Sequence, residues 1–394
     1  MQISEIMNLI DENKLNEVGK LYKIDKVNNK ITGKFIIKSF VHCILKGYKM
    51  SLRALELITN NNKNLSSLLN TQHENNNTLD HSSISRRLAS IDTRYFQDIY
   101  EDLVLKYNDK FKENEVIKLN RFDSTIISLS GKLLKDGLNL GGKAHDRHIK
   151  ISIGLKNSIP ASVRFCDKQA DSSENVALVQ AINDTKIEKA EILLFDRGIS
   201  KAQTFESFSQ NEQYFVTRVN INRKYVLIQT NTVSPNEITR ADSNEELYKD
   251  LNIISDEIVN LYDKKHKQIK CNLRLIKGIS QEAGELWFLT NILYLSAQDI
   301  ASTYKKRWEI GVFFKFIKQN LQIKHFISHK ENGMKVYIYC ILIAVILFTI
   351  FKRLNNLAGF KLALLQFMLL LEKEIIKDMV LFCGGDPNLV DLKL

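Results

Sequence analysis

Apolar residues recur at helical spacing through most of the first 112 residues. The stretch GKFIIKSFVHCILKGY (33–48) shows the pattern most clearly, and Ser51 is placed to cap a helix formed by the following SLRALELI. An asparagine-rich stretch then interrupts the pattern and is typical of a loop. These positions predict a helical N-terminal region, 1–112.

Two shorter helical patterns follow the asparagine-rich stretch and are separated near Ile91 and Asp92. A helix pair that carries Arg86 and Arg87 suits the helix-turn-helix mode of DNA binding. Helix pairs are also common packing units, so contact of this pair with DNA is one of two interpretations.

The period of the pattern changes after residue 115. The stretch VIKLNRFDSTIISLS alternates apolar and polar residues, which is typical of a strand. The elements that follow are predicted to be two more strands, a helix, a short and fully apolar strand, and a second helix. Their ranges, from the first strand onward, are 116–130, 150–156, 161–169, 173–184, 191–198 and 200–210.

The rest of the chain divides into a strand-rich part and a helical part. Residues 213–293 carry several strand patterns, and a long helix is predicted to start near Asp299. The sequence therefore predicts an α/β protein whose first α/β block, 113–212, is separated from a later helical segment, 294–335, by a β-rich segment. A helical C-terminal region, 336–394, follows.

The most apolar stretch of the chain is VYIYCILIAVILFTIF, residues 336–351. It has 16 residues, whereas a membrane-spanning helix needs about 20. We therefore expect a helix of the protein core and no membrane association.

Composition adds two expectations. The five cysteines are scattered singly and form no C-x-x-C pair, which argues against a zinc ribbon or a disulfide framework and indicates a cytoplasmic protein. The net charge of +11 suits a polyanionic partner such as nucleic acid, although a lysine-rich proteome would produce the same excess.

Two aspartates stand at positions that suit catalysis. Asp123 lies within the first predicted strand, and Asp196 ends the short apolar strand. Neighbouring strand ends converge in a sheet, and two close carboxylates repel each other unless a cation neutralises them, so a divalent metal site is the natural expectation. For either residue alone, an ordinary carboxylate at a strand or turn is the alternative.

A third candidate element is the predicted helix that contains YKKRWEIGVFFKFIK, residues 304–318. At about 100° per residue, Tyr304, Arg307, position 311 and Lys318 fall within roughly 60° of each other. This stripe suits phosphate binding, and a solvated basic stripe is the alternative. Trp308 is interpreted as a core residue.

These residues together resemble the DDE transposases of bacterial insertion sequences, and most closely the insertion-sequence-four family. That family carries the signature Y-x-x-R-x-x-x-E-x-x-x-x-x-x-K, which Tyr304, Arg307 and Lys318 match at the right spacing. RFDST around Asp123 and LLFDRGI around Asp196 are similar to the first two catalytic regions of the family.

The resemblance implies an RNase H-like catalytic core, interrupted by the β-rich insertion, that binds two Mg²⁺ ions through Asp123 and Asp196, with Mn²⁺ able to substitute. It implies cleavage of transposon ends at terminal inverted repeats and strand transfer into target double-stranded DNA, by a homodimer associated with the bacterial nucleoid. The residues predicted to contact DNA are Arg86, Arg87, Lys143, His145, Arg197, Tyr304, Arg307 and Lys318.

The chain departs from the family at the third catalytic carboxylate. The glutamate of the signature falls at position 311, where this chain has Gly311. Glu309 is the nearest acidic residue and is taken as the candidate third catalytic residue, although it is rotated by about 200° from position 311 on a regular helix. We therefore expect impaired cleavage, or a catalytically inactive DNA-binding protein as the alternative.

Overall fold

A computed structural model provides the structure of the protein. Most of the chain is described, apart from both ends of the sequence and several internal stretches. The described residues are 6, 8–26, 31–47, 51–61, 79–111, 117–129, 138–140, 147–166, 168–233, 251–263, 265–321, 323, 328 and 330–390.

The described part of the N-terminal region is helical. Ser51 caps its helix, because its Oγ accepts a hydrogen bond of 3.0 Å from the backbone N–H of Ala54. Asp92 caps the second helix of the predicted pair, which begins at Thr93 after a break at Ile91. The helices are α1 (Glu12–Leu21), α2 (Gly33–Leu45), α3 (Leu52–Asn61), α4 (His81–Ser90) and α5 (Thr93–Lys110).

Nine strands of the described chain form one mixed sheet in the order β3-β2-β1-β4-β5-β9-β8-β7-β6. The pairs β1–β4 and β4–β5 are parallel, and the other neighbouring pairs are antiparallel. The strands are β1 (Leu119–Leu129), β2 (Arg147–Lys156), β3 (Ile159–Cys166), β4 (Ile192–Phe195), β5 (Tyr214–Val219), β6 (Tyr225–Thr230), β7 (Asn252–Leu261), β8 (Leu273–Ser280) and β9 (Gly284–Thr290).

The strand-rich segment that follows β5 extends the same sheet, because β9 pairs with β5. One of its strands, β7, carries no regular strand pattern. Its sequence, NIISDEIVNL, breaks the alternation of apolar and polar residues. The Asp256 carboxylate is buried there because Arg274 of β8 donates two hydrogen bonds to it, at 2.9 and 2.6 Å.

Six more helices within the described residues cover the sheet or complete the helical part of the molecule. The long helix expected from Asp299 is two helices, α8 and α9, separated by Lys306 and Arg307. The six are α6 (Glu174–Asn183), α7 (Ala202–Gln210), α8 (Ala297–Lys305), α9 (Trp308–Asn320), α10 (Glu331–Leu354) and α11 (Phe360–Phe382).

Helix α10 contains the apolar run noted in the sequence and lies in the largest hydrophobic core. It is long and apolar enough to cross a membrane, but 94% of its most apolar window is buried inside the protein. It packs against α2, α4, α5 and β3. The expectation of a core helix therefore agrees with the structure.

Candidate active site

Asp123 and Asp196 lie beside each other on neighbouring parallel strands. Phe122 of β1 is aligned with Phe195 of β4, so the next residue along each strand is one of the two aspartates. The two phenylalanines belong to the core on one face of the sheet. Because side chains alternate along a strand, the Asp123 carboxylate points to the opposite face, toward α8 and α9. Two aspartates that are far apart in the sequence therefore lie side by side at the ends of neighbouring parallel strands.

The surroundings of Asp123 raise the pKa of its carboxyl group. Burial raises the pKa of Asp123 to about 6, and the negative charges of Glu174 and Asp196 add to the increase. A hydrogen bond of 2.8 Å from the backbone N–H of Ser124 and the nearby charge of Arg307 act in the opposite direction. The carboxylate pair thus attracts positive charge.

Tyr304 and Arg307 bring the junction between α8 and α9 onto this pair. The Tyr304 hydroxyl lies 3.4 Å from Oδ1 of Asp196, and Nη1 of Arg307 lies 3.7 Å from Oδ2 of Asp123. The Arg307 guanidinium lies 5.8 Å from the centre of the Tyr304 ring. The structure brings these four predicted site residues together.

Lys318 lies three turns further along α9. It is half-buried, and its ammonium group is 5.8 Å from the centre of the Phe314 ring. Arg197 is exposed beside the pair, and its backbone N–H donates a hydrogen bond of 2.7 Å to Oδ1 of Asp196. Lys143 and His145 lie outside the described residues.

Glu309 does not stand free as a third metal ligand. Its Oε1 accepts a hydrogen bond of 2.8 Å from Nη2 of Arg121, a guanidinium that is 3% exposed. The first turn of α9 is tighter than an α-helix, since the N–H groups of Glu309 and Ile310 bond to carbonyls three residues earlier. The Glu309 carboxylate still contacts Arg121. The substitution of Glu309 for the missing glutamate stays a prediction, and it would require this carboxylate to leave Arg121.

Gly311 lies on α9 in a position that tolerates a side chain. A Cβ atom added there would meet only ring atoms of Trp308, at 3.7 and 3.9 Å, which is ordinary van der Waals contact. The backbone is helical, so an L-amino acid fits without strain. Trp308 is 51% exposed, which makes its interpretation as a core residue wrong.

The two arginines predicted to contact DNA in the helix pair differ in their surroundings. Arg86 is exposed on α4. Arg87 is 8% exposed and donates to the backbone carbonyls of Ile31 and Ile24, at 3.0 and 2.5 Å. The prediction of DNA contact by Arg87 does not agree with the structure, because its guanidinium is buried and hydrogen-bonded to these two carbonyls.

Glu174 lies near the carboxylate pair and is not among the predicted site residues. Glu174 begins α6 and pairs with the buried Lys150 of β2 at 2.8 Å. Its side chain lies beside the Asp196 loop, since a Cβ on Gly198 would be 3.0 Å from its Cβ and Cγ. The sequence offered no signal for Glu174, because an acidic residue in the first turn of a helix is common.

Comparison with known proteins identifies the family. The model of the transposase DDE domain matches residues 121–347, more than half of the chain and the part that carries all four clustered residues. A putative transposase, y4zB, of Sinorhizobium fredii is 25% identical over 193 residues, which are 49% of this chain and 51% of that protein. This chain thus spans about half the length of that relative.

Two further relatives are transposases of insertion sequences. The putative transposase for insertion sequence element IS4SA of Synechocystis is 25% identical over 68% of this chain and 71% of its own length. The probable transposase for element IS5377 of Geobacillus stearothermophilus is 25% identical over 40% of this chain and 38% of its own length. With the family model, they bear out the resemblance seen in the sequence: this chain belongs to the DDE-domain transposases of insertion sequences.

Proposed function

We propose that this protein cleaves the ends of its own DNA element and joins them to target DNA in a cut-and-paste reaction that depends on Mg²⁺, or on Mn²⁺ in its place. The observation that carries the proposal is the cluster of Asp123 and Asp196 with Tyr304 and Arg307 directly against them. In this proposal the DNA contacts are made by a homodimer that holds the two terminal inverted repeats together.

The residues of the cluster fit a divalent cation. Carboxylate oxygens are the ligands that Mg²⁺ prefers, and the raised pKa of Asp123, at about 6, reflects burial and negative charge that a cation would offset. Asp123 and Asp196 would hold the two ions of the proposed site. When bound, the ions would neutralise charge on the attacking and leaving oxygens of a phosphodiester.

The side chains around the carboxylates have separate tasks in this proposal. Arg307 is 18% exposed, and its long contact with Asp123 leaves guanidinium N–H groups for the oxygens of a phosphate. The Tyr304 hydroxyl holds Asp196 in place. Arg197, Lys318 and Arg86, together with Lys143 and His145, would bind the DNA backbone, where cations supply most of the affinity.

A second candidate is a transposase-derived protein that binds the element's ends without cutting them. Two observations favour it: position 311 carries no carboxylate, and Glu309 pairs with Arg121. Loss of one carboxylate from a two-metal site costs orders of magnitude in rate. Both candidate functions predict binding to the element's ends, but only the transposase is expected to cleave them.

The test compares the wild type with Gly311→Glu on duplexes that carry the terminal inverted repeats flanking the gene. We expect Gly311→Glu to cut these ends at least about 100-fold faster in Mg²⁺, because it supplies the missing carboxylate. Chelation of the metal should abolish cleavage. Single-turnover nicking measures cleavage, and a gel shift measures binding of the same duplexes.

Gln319→Glu is the matched control, because it adds the same charge to an exposed position of the same helix. Asp123→Asn in the Gly311→Glu protein should remove cleavage and leave end binding intact. Equal cleavage by the wild type and Gly311→Glu would contradict the role assigned to position 311. End binding without cleavage by either protein would leave the binding protein as the function.

A further inference from the structure

The junction between α8 and α9 is tighter than an α-helix. In an α-helix each backbone N–H bonds to the carbonyl four residues earlier, but four N–H groups here bond to the carbonyl three residues earlier. They belong to Lys306, Arg307, Glu309 and Ile310, at donor–acceptor distances of 3.2, 2.9, 3.3 and 3.2 Å. In such a 3₁₀ turn the side chains three residues apart eclipse each other. Tyr304 and Arg307 are three residues apart, so the turn aligns them toward the two aspartates.

Arg121 of β1 holds this turn from the sheet side. Its Nε donates a hydrogen bond of 2.8 Å to the carbonyl of Lys306, and its Nη2 donates one of 2.8 Å to Oε1 of Glu309. The remaining nitrogen, Nη1, lies 3.4 Å from the carbonyl of Leu119 on its own strand. The planar guanidinium thus spans both sides of the junction and is fixed to the strand that it comes from.

The position of Arg121 in the strand explains why its contacts matter for the site. Arg121 and Asp123 are two residues apart on β1, so they lie on the same face of the sheet, about 7 Å apart along the strand. One strand therefore supplies a carboxylate of the candidate site and the side chain that holds the opposite helix junction. Strand and junction cannot shift independently while the guanidinium bonds are made.

We infer that Arg121 is a positioning residue of the active site: by bonding to the Lys306 carbonyl and the Glu309 carboxylate, it keeps the tight turn that directs Tyr304 and Arg307 onto Asp196 and Asp123. The inference rests on the proposed function for its catalytic consequence, but not for its structural part. It also assigns Glu309 a role, which is to anchor the junction rather than to bind metal.

Trp308 offers a direct probe of the turn. It follows Arg307 at the start of α9, is 51% exposed, and is one of two tryptophans in the chain. In a Trp287→Phe protein, the fluorescence anisotropy and acrylamide quenching of Trp308 report the mobility of the junction. We expect Arg121→Gln to raise the quenching constant about two-fold, because both anchors of the turn are lost.

Three further variants in the same protein sharpen this measurement. Glu309→Gln, which keeps the bond to the Lys306 carbonyl, and Arg121→Lys, which cannot donate to both acceptors in the same geometry, should give smaller increases. Lys118→Gln, a control just before β1 that loses an exposed ion pair with Glu188, should give none. Thermal melts identify any variant that fails to fold. Unchanged Trp308 quenching in folded Arg121→Lys and Glu309→Gln proteins would overturn the inference.

The catalytic part is tested by a double-mutant cycle in the Gly311→Glu protein. Arg121→Gln should lower the single-turnover cleavage rate at saturating DNA about 100-fold, with little change in affinity for the ends. If Arg121 acts through Arg307, adding Arg121→Gln to Arg307→Gln should cost less than about 3-fold more. Fully additive losses would overturn this mechanism. Absence of cleavage in the parent Gly311→Glu protein would overturn the proposed function, while the fluorescence measurement would still decide whether Arg121 holds the turn.

Discussion

Arg86 and Arg87 are adjacent in α4, yet they face different surroundings. The guanidinium of Arg87 is enclosed with two backbone carbonyls, and its Nη2 lies 2.9 Å from Oδ1 of Asp25. It links α4 to the segment between α1 and α2. Arg86 is exposed and bonds only within its own helix among the described contacts, through Nη2 and the Ser83 hydroxyl at 3.1 Å. Arg87 therefore serves stability, and the exposed Arg86 is available to a partner.

This difference predicts opposite results for two neighbouring substitutions. Arg87→Ala should lower the free energy of unfolding by about 3 kcal/mol, because two carbonyls and the Asp25 carboxylate lose a buried charged donor. Arg86→Ala should change it by less than about 0.5 kcal/mol and weaken DNA binding. Urea denaturation measures the first effect and a gel shift the second. Equal stabilities of the two variants would contradict the burial of Arg87.

At the scale of elements, the sequence predicts the helices and strands whose own side chains determine where they begin and end. Strands β1 to β5 alternate or are fully apolar, and Ser51 and Asp92 are ordinary caps, so their positions could be predicted. The break between α8 and α9 could not, because YKKRWEIG contains no breaker at the break itself and the cause is a hydrogen bond from Arg121, 185 residues away. The Glu309 contact and the proximity of Glu174 depend on tertiary structure in the same way.

Helix α2 carries a buried histidine that makes stability depend on pH. Burial, together with the charge of Lys46 one turn later, lowers the pKa of His42 to about 4. An unfolded chain binds the proton at about pH 6.5, so the unfolded state holds more protons between these values. The stabilisation is therefore present above pH 6.5 and is lost as the pH falls toward 4.

The prediction concerns the difference between the wild type and His42→Leu. Between pH 7.5 and pH 5, the wild type should lose about 2 kcal/mol more of its free energy of unfolding than the variant, because only the wild type must keep His42 neutral. Urea denaturation at several pH values measures this, and acidic groups common to both proteins cancel in the comparison. Parallel pH profiles of the two proteins would contradict the burial of a neutral His42.

At the scale of the whole molecule, α10 connects the helical part to the sheet. Tyr339 of this helix packs its ring against Tyr100 of α5 at 5.8 Å and against Phe165 of β3 at 5.5 Å between centroids. At the start of the helix, Asn332 donates to the carbonyls of Leu88 and Ile91, at 2.9 and 2.7 Å, and so holds the end of α4. The predicted boundaries at 112 and 336 remain predictions, but the core crosses both of them.

This shared core predicts that the helical part and the sheet unfold together. Far-UV circular dichroism follows mainly the helices, whereas Trp287 and Trp308 report on β9 and α9, so the two signals should give one common urea transition. Tyr339→Ala should lower the free energy of unfolding by about 3 kcal/mol, because it removes a buried ring at the junction. The urea midpoints of both signals should therefore fall equally. Leu362→Ala is the control, since that side chain is 72% exposed and should leave both midpoints unchanged. Two separate transitions, or a Tyr339→Ala effect on one signal alone, would mean that α10 does not couple the two parts, and the helical region could then bind DNA independently of the catalytic sheet.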